Sequence, residues 1–403
     1  MDDTGDSQQE KLADESPTQE EHTKLKPIFE ACRDNNLKNL IELATTADGL
    51  VNDEVRQIAW PILLGSRNEP EGEKETPWED LPPHRDEYQV QLDVDRSFVY
   101  YPNHNTTKQL DARKKQLSDV IVEVLRRHPF LCYFQGFHDI VQVLLLVLGP
   151  SQSTVAVRRL SILRIRDFML PNISGAISHL HLLPAILYTA DPVLSKHLPS
   201  NTFFAISAIL TLYAHDIQEY SDIARLFDFL LAREAVTSVY LFAAIVLSRK
   251  DELLELDPEE EKDMLHFKLS KLPKPLDLEA LIAQATALFE AHPPENLPMG
   301  AWHRISKNSV LKTTRDPTAL SGQSFEDGRL WFEAQAEEIR KQQAREELLK
   351  KLRVGLRKYR RPAIVGVTVA IGVLAWWLGR SRGMEKFWFP VFGRMGNVFG
   401  RLK

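Results

Sequence analysis

An arginine and a glutamine 39 residues apart, Arg96 and Gln135, are the residues of this 403-residue chain best suited to chemistry. Arg96 closes the run Val90-Gln91-Leu92-Asp93-Val94-Asp95-Arg96, and Gln135 sits in Tyr133-Phe134-Gln135-Gly136. A guanidinium is planar, always charged and able to make several hydrogen bonds to oxygen, so it can offset charge on a transferring phosphoryl group. A side-chain amide donates and accepts, so it can hold a water for in-line attack. These are two groups that hydrolysis of a nucleoside triphosphate needs. Yet the chain has no G-x-x-x-x-G-K-[ST] loop to cradle phosphates itself. The pair points to a protein that completes another protein's active site.

The elements around each motif must position these groups. Val90, Asp93 and Arg96 are spaced i, i+3, i+6, so on a helix Asp93 and Arg96 are neighbours and the carboxylate can hold the guanidinium. Such a pair is also common as a solvated surface contact, and Asp95 offers a second carboxylate. Gly136 permits an unusual dihedral and leaves Gln135 at a helix start, where its amide can project. The alternative is a glutamine that satisfies backbone groups at a helix junction.

Helical periodicity dominates the body. Leu117, Val120, Ile121, Val124 and Leu125 form one apolar stripe. Ile140, Val143, Leu144, Val147 and Leu148 form another, with Leu145 and Leu146 adding a second face, so this helix is expected to be central and to stop at Gly149-Pro150. Further buried helices are expected over 160–170, 205–213, 224–231 and 239–246, and an amphipathic one over 277–291. Strand and hairpin signals are few. The expectation is an all-α body of about 250 residues in one domain. Residues 69–83 read as a Pro- and acid-rich loop, 294–327 as a linker, and 328–361 as a charged, basic helix. His128, His138 and His215-Asp216 read as structural, because no nucleophile or metal spacing accompanies them; Cys32 and Cys132 match no metal pattern either.

The net charge of -6 hides an asymmetry. From Glu346 onward there are 13 Lys/Arg against 3 Asp/Glu, a tail of +10 behind a body of -16. An acidic body argues against nucleic acid as a partner, and a basic tail suits an anionic membrane surface. Residues 362–379 (PAIVGVTVAIGVLAWWLG) are 18 without a charge, roughly 27 Å as a helix and close to the ~30 Å hydrocarbon core. With no signal peptide expected and a disordered acidic tail expected over 1–24, this reads as a C-terminal anchor with a cytosolic body and a basic amphipathic tail over 380–403. A short span suits the thinner bilayer of the endoplasmic reticulum. The sequons at Asn105 and Asn172 should then stay unmodified.

Both motifs together resemble the TBC domain of Rab GTPase-activating proteins, which has I-x-x-D-x-x-R and Y-x-Q-G motifs in this order. Its opening R-x-x-x-W-x-x-L-L-G is similar to Arg56, Trp60, Leu63, Leu64 and Gly65, and its R-x-W/Y-D signature resembles Arg225-Leu226-Phe227-Asp228. The resemblance covers about 46–293 within a domain placed at 25–293. It implies that Arg96 and Gln135 are catalytic fingers supplied in trans to a Rab. Asp93, Tyr133 and Gly136 would support them or touch the Rab, and Arg56, Trp60 and Asp228 would be a structural motif. No cofactor or metal of its own is implied, since GTP and Mg²⁺ come with the partner. Within the family the chain resembles a member of similar length anchored in the endoplasmic reticulum membrane. That implies a GTP-bound Rab and the membrane of the endoplasmic reticulum or cis-Golgi as partners, with other membrane proteins there as candidates, and control of ER-to-Golgi traffic. Such a chain is a GTPase activator rather than an enzyme with its own nucleotide site. The rivals are an inactive membrane-anchored Rab-binding scaffold and a membrane-shaping protein.

Overall fold

The computed structural model describes residues 19–67, 76–102 and 106–380, with side chains described except at 19–22, 355–367 and 378–380. The basic tail over 381–403 and the sequon residue Asn105 lie outside the described residues. Those described are helical and contain no strand. They fall into two compact units, Met1–Glu337 and Glu338–Lys403.

Six helices of the first unit build the site: α1 Gln19–Arg33, α2 Leu37–Thr45, α3 Asp53–Leu64, α4 Glu87–Val94, α5 Thr107–Arg127 and α6 Phe137–Leu163. A capping box starts α5, with Thr106 and Gln109 each satisfying the other's backbone N–H. Its apolar stripe, Leu117, Val120, Ile121, Val124 and Leu125, is buried. In α6 both faces are buried, including Ile140, Val143, Leu144 and Val147 at 0% exposure, each worth ~1.5–3 kcal/mol of transfer free energy. α6 lies against α3, α4 and α5 and is long and apolar enough to cross a membrane. Most of its apolar window is buried against the rest of the unit, which makes it a core helix instead. The stop expected at Gly149-Pro150 is there: Gly149 leaves helical geometry and ends the first run, and a second run follows from Pro150 to Leu163.

Three expectations are corrected. Helix α1 begins at Gln19, inside the stretch read as a disordered tail; residues 1–18 fall outside those described. Lys24 is not tail-like, since its ammonium donates to the Thr46 and Ala47 carbonyls, and burial lowers its pKa to about 8. The supposed linker over 294–327 is folded onto the body, where its short turns bury Trp302, Ile305, Val310, Leu311 and Leu320. Asp167 fixes it by accepting from the Ser309 hydroxyl and from Val310 N–H at 3.1 Å. Arg159 reaches the Leu320 carbonyl at 2.8 Å. The charged helix expected at 328–361 runs Phe325–Arg380. Its first turns belong to the body: the Phe332 ring lies 5.0 Å from that of Phe130, and the Arg158 guanidinium sits 4.6 Å over Phe325.

In the second unit, 362–379 lies within that helix. Thr368–Trp377 is its apolar stretch, with Val369, Ile371, Val373, Leu374, Trp376 and Trp377 exposed.

Candidate functional site

Helix α4 carries the first motif because its apolar residues sit on the core: Val90 is 0% exposed and Val94 1%. Its first turn is clamped to α5 by a bidentate pair from Arg126 to Glu87, at 2.6 and 2.9 Å. The Arg126 hydrogen bonds hold the Glu87 carboxyl below the usual carboxylate range. At the other end of α4, Asp93 is 3% exposed and Arg96 is exposed. The expected Asp93–Arg96 side-chain pair is absent. Asp93 instead accepts from Gln89 Nε2 at 3.0 Å and from the Tyr133 hydroxyl at 2.9 Å. An inward carboxylate and an outward guanidinium cannot meet, although they are three residues apart. What fixes Arg96 is its backbone. Arg96 N–H donates to the Asp93 carbonyl at 3.0 Å. Lys114 Nζ donates to the Asp95 carbonyl at 2.6 Å. Two residues on, Phe98 N–H donates to Gln142 Oε1 at 2.9 Å. The Arg96 side chain has no hydrogen bond or ion pair among the described residues.

Gln135 is presented by a turn that leads into α6. Phe137 N–H donates to the Phe134 carbonyl at 3.1 Å, closing the turn. Gly136 adopts φ +100°, a conformation that costs other residues energy. A Cβ at this position would also stand 2.6 Å from Thr211 Cγ2. The approach is pinned by Tyr133 N–H on Asp86 Oδ2 at 2.9 Å and by His84 Nε2, 3.1 Å from the Leu131 carbonyl. Gln135 is exposed and its amide has no hydrogen-bond partner among the described residues. It lines a pocket of about 520 Å³ together with apolar Phe168, Leu170, Ile173, Phe203 and Ile206.

One side chain joins the two motifs. The Tyr133 hydroxyl, bonded to Asp93, also lies 3.3 Å from His138 Nδ1. Burial and the Asp93 carboxylate push its pKa well up, so it stays a neutral donor. His138 in turn has Nε2 3.2 Å from Asp139 Oδ1, and burial lowers its pKa. Arg96 and Gln135 therefore stand on one scaffold of α4, α5 and α6. Sequence reasoning did not find Asp86, Lys114 or Gln142. Only Gln142 left a trace, as a lone polar residue in the apolar run Ile140-Val141-Gln142-Val143-Leu144.

Arg56, Trp60 and Asp228 meet away from these groups, at one carboxylate that is 0% exposed. Asp228 accepts from Arg56 Nη2 at 3.0 Å, Trp60 Nε1 at 2.7 Å and Leu50 N–H at 3.0 Å. Arg56 also donates to Asp53 at 2.9 Å. Burial opposes the Arg56 charge, but Asp228 and Asp53 together more than offset it and hold the guanidinium above its ordinary value. The junction ties α3 to the Tyr220–Ala232 helix. Nearby, Gly49 has φ +50°, and a Cβ there would stand 2.6 Å from Asp228 Oδ2.

Comparison with known proteins places this architecture. The Rab-GTPase-TBC domain matches residues 53–254. TBC1 domain family member 20 of Mus musculus is 32% identical over 363 residues, covering 89% of this chain and 88% of the relative. GTPase-activating protein gyp10 of Schizosaccharomyces pombe is 32% identical over 316 residues, covering 77% of this chain and 83% of the relative. The crystal structure of the Ypt/Rab-GAP domain of Gyp1p superposes with a TM-score of 0.52 at 15% identity, covering 67% of this chain and 99% of that one. A Chlamydomonas flagellar RabGAP TBC domain gives 0.51 at 16% identity, covering 66% and 91%. The helical body is thus that of a known fold, and the chain belongs to the Rab-GTPase-TBC domain family.

Proposed function

We propose that this chain is a GTPase-activating protein for Rab GTPases that works by lending two side chains to its partner's site. The observation that carries this reading is that Arg96 and Gln135 are exposed and their side chains have no hydrogen-bond partner among the described residues, while the backbone around each is held by hydrogen bonds. In a Rab-GTPase-TBC domain the partner supplies GTP and Mg²⁺. Arg96 enters that site and offsets charge in the loose transition state, and Gln135 orients the attacking water. The Tyr133–Asp93 hydrogen bond keeps the two elements in register.

Single-turnover GTP hydrolysis across a panel of purified GTP-loaded Rabs, with the full chain in detergent, tests this. Strong acceleration of one or two Rabs, lost in Arg96→Ala and Gln135→Ala, is expected. Rab binding without acceleration by the wild type would leave a scaffold instead.

We further propose that 362–379 anchors the chain in the membrane of the endoplasmic reticulum, with the body cytosolic, serving ER-to-Golgi traffic. The uncharged run and the exposed apolar stretch Thr368–Trp377 support this. Full resistance to alkaline extraction is expected, together with unmodified Asn105 and Asn172. A glycosidase-sensitive mass shift would reverse the topology.

A further inference from the structure

The pocket that Gln135 opens onto has a second exposed polar group that the two-finger reading does not use. His215 follows the Ile206–Leu210 helix on a tight loop in which Leu212 and Tyr213 have φ of +48° and +68°. Two successive left-handed residues without glycine are uncommon and persist only where the surroundings enforce them. Here the Tyr213 ring is 0% exposed, its hydroxyl donates to the Ser238 carbonyl at 2.7 Å, and Tyr101 donates to the Ala214 carbonyl. The loop is fixed, yet it delivers a histidine whose side chain is 63% exposed.

The ring is also oriented. His215 Nδ1 lies 3.0 Å from Asp139 Oδ2, and Asp139 is in the first turn of α6, four residues after Gln135. The other Asp139 oxygen is 3.2 Å from His138 Nε2, so a chain of contacts runs from His215 through Asp139, His138 and Tyr133 to Asp93. His215 lines the same pocket as Gln135, and with Nδ1–H committed to Asp139 its Nε2 is left without a hydrogen bond among the described residues. The charged groups that act on the ring are Asp139 and His138 on α6, the adjacent Asp216, and Lys271. Asp216 is turned away to accept from the Ser207 hydroxyl at 3.0 Å.

We propose that His215 is a recognition residue for the bound GTPase, donating from Nε2 as an imidazolium to a carboxylate on the GTPase surface beside the nucleotide. This rests on the GTPase-activating reading of the same site. The argument is one of charge and geometry: a fixed ring, anchored by one buried-side carboxylate, offers its free nitrogen to whatever Gln135 faces. The Asp139 hydrogen bond raises the His215 pKa above its ordinary value, which favours the donor form. An exposed pair of this kind contributes little to rate and modestly to affinity.

The test is GTP hydrolysis by an accelerated Rab with the full chain in detergent, at pH 6.0 and pH 8.0. His215→Ala, His215→Gln, Arg96→Ala and Gln135→Ala are compared with wild type. For His215→Ala the expected result is a half-saturating GTPase concentration raised about threefold to fivefold at pH 6.0 and less at pH 8.0. The rate at saturation stays within about twofold. His215→Gln keeps a donor that does not titrate, so it recovers part of the affinity and flattens the pH dependence. Wild-type half-saturation in His215→Ala at both pH values would overturn the proposal, as would a fall in saturated rate alone. If Arg96→Ala and Gln135→Ala keep wild-type acceleration, the reading of the site fails. If they lose it while His215→Ala is unchanged, this inference alone fails.

Discussion

Two arginines in this chain carry the same charge and have opposite fates. Arg56 is 7% exposed and spends its donors on Asp228 and Asp53. Arg96 is exposed, and its guanidinium meets no described side chain. Around Arg56 the side chains are fixed by their partners. Around Arg96 the backbone is fixed and the side chain is left free. On the proposed function, the difference separates a residue invested in the fold from one reserved for a partner. Removing the first should unfold the protein, and removing the second should leave it folded and idle.

The strongest way to break this comparison is Arg96→Ala. An arginine finger is worth ~10³–10⁵ in rate, so stimulation should fall by that order with the melting temperature unchanged. Arg96→Lys should fail almost as badly, because an ammonium cannot reproduce the fork. A lysine variant with near-normal single-turnover rates would remove Arg96 from the chemistry. The mirror experiment is Asp228→Ala, which leaves the Arg56 charge, the Trp60 N–H and the Leu50 N–H buried without their acceptor. Breaking a buried pair costs ~3–5 kcal/mol, read as a lower denaturant midpoint. An unchanged midpoint would mean that the junction is not what holds α3 in place.

How much of this could be read in advance follows from the range of each interaction. The projecting position of Gln135 and the left-handed turn at Gly136 were legible because a glycine's freedom is local. The long apolar run of α6 was legible as a central helix for the same reason. The partner of Asp93 was not: the nearby Arg96 is the obvious choice along a helix, but Tyr133 reaches in from 40 residues away. Burial of Val90 and Val94 turns the Asp93 face inward, and that decides the matter. The segment 294–327 was misread because its composition is that of a loop. Its buried residues, among them Leu297, Ala301, Trp302, Ile305, Val310, Leu311 and Leu320, sit on or beside turns of three to six residues, too short to build a long apolar stripe that would show that they pack.

Smaller effects sharpen the comparison where the two motifs touch. Gly136→Ala must accept φ +100° and a Cβ 2.6 Å from Thr211 Cγ2, so it should destabilise by ~1–3 kcal/mol. It should also lower stimulation, because the turn carries Gln135. Tyr133→Phe removes one hydroxyl and leaves Asp93 Oδ2 without its donor, a cost of ~1–3 kcal/mol. If the hydroxyl only fills space, Tyr133→Phe will show wild-type stability and stimulation alike. If it keeps α4 and the Gln135 turn in register, stimulation will fall further than the stability change explains.

Two histidines repeat the contrast of the arginines, with the smallest effect and the clearest sign. His128 is 9% exposed, at the end of α5, with Arg158 Nε 3.2 Å from its Nε2. Burial, then Arg158 and Arg127, lower its pKa to about 3. The unfolded chain, with an ordinary value of about 6.5, binds this proton more tightly than the folded one. Stability from this source is complete above about pH 6.5 and falls as the pH drops toward about 3, by up to ~1.4 kcal/mol per pH unit. His215 has the opposite sign, since its pKa is raised by Asp139. Its contribution is present below the unfolded value and is lost as the pH rises through the folded one, muted by exposure of the ring. Denaturant unfolding between pH 5 and pH 8 should therefore show a shallower acid-side loss in His128→Gln than in wild type. The wild-type slope in His128→Gln would mean that this core histidine takes up its proton without unfolding. The division between a neutral core and a charged, partner-facing site would then fail at its simplest point.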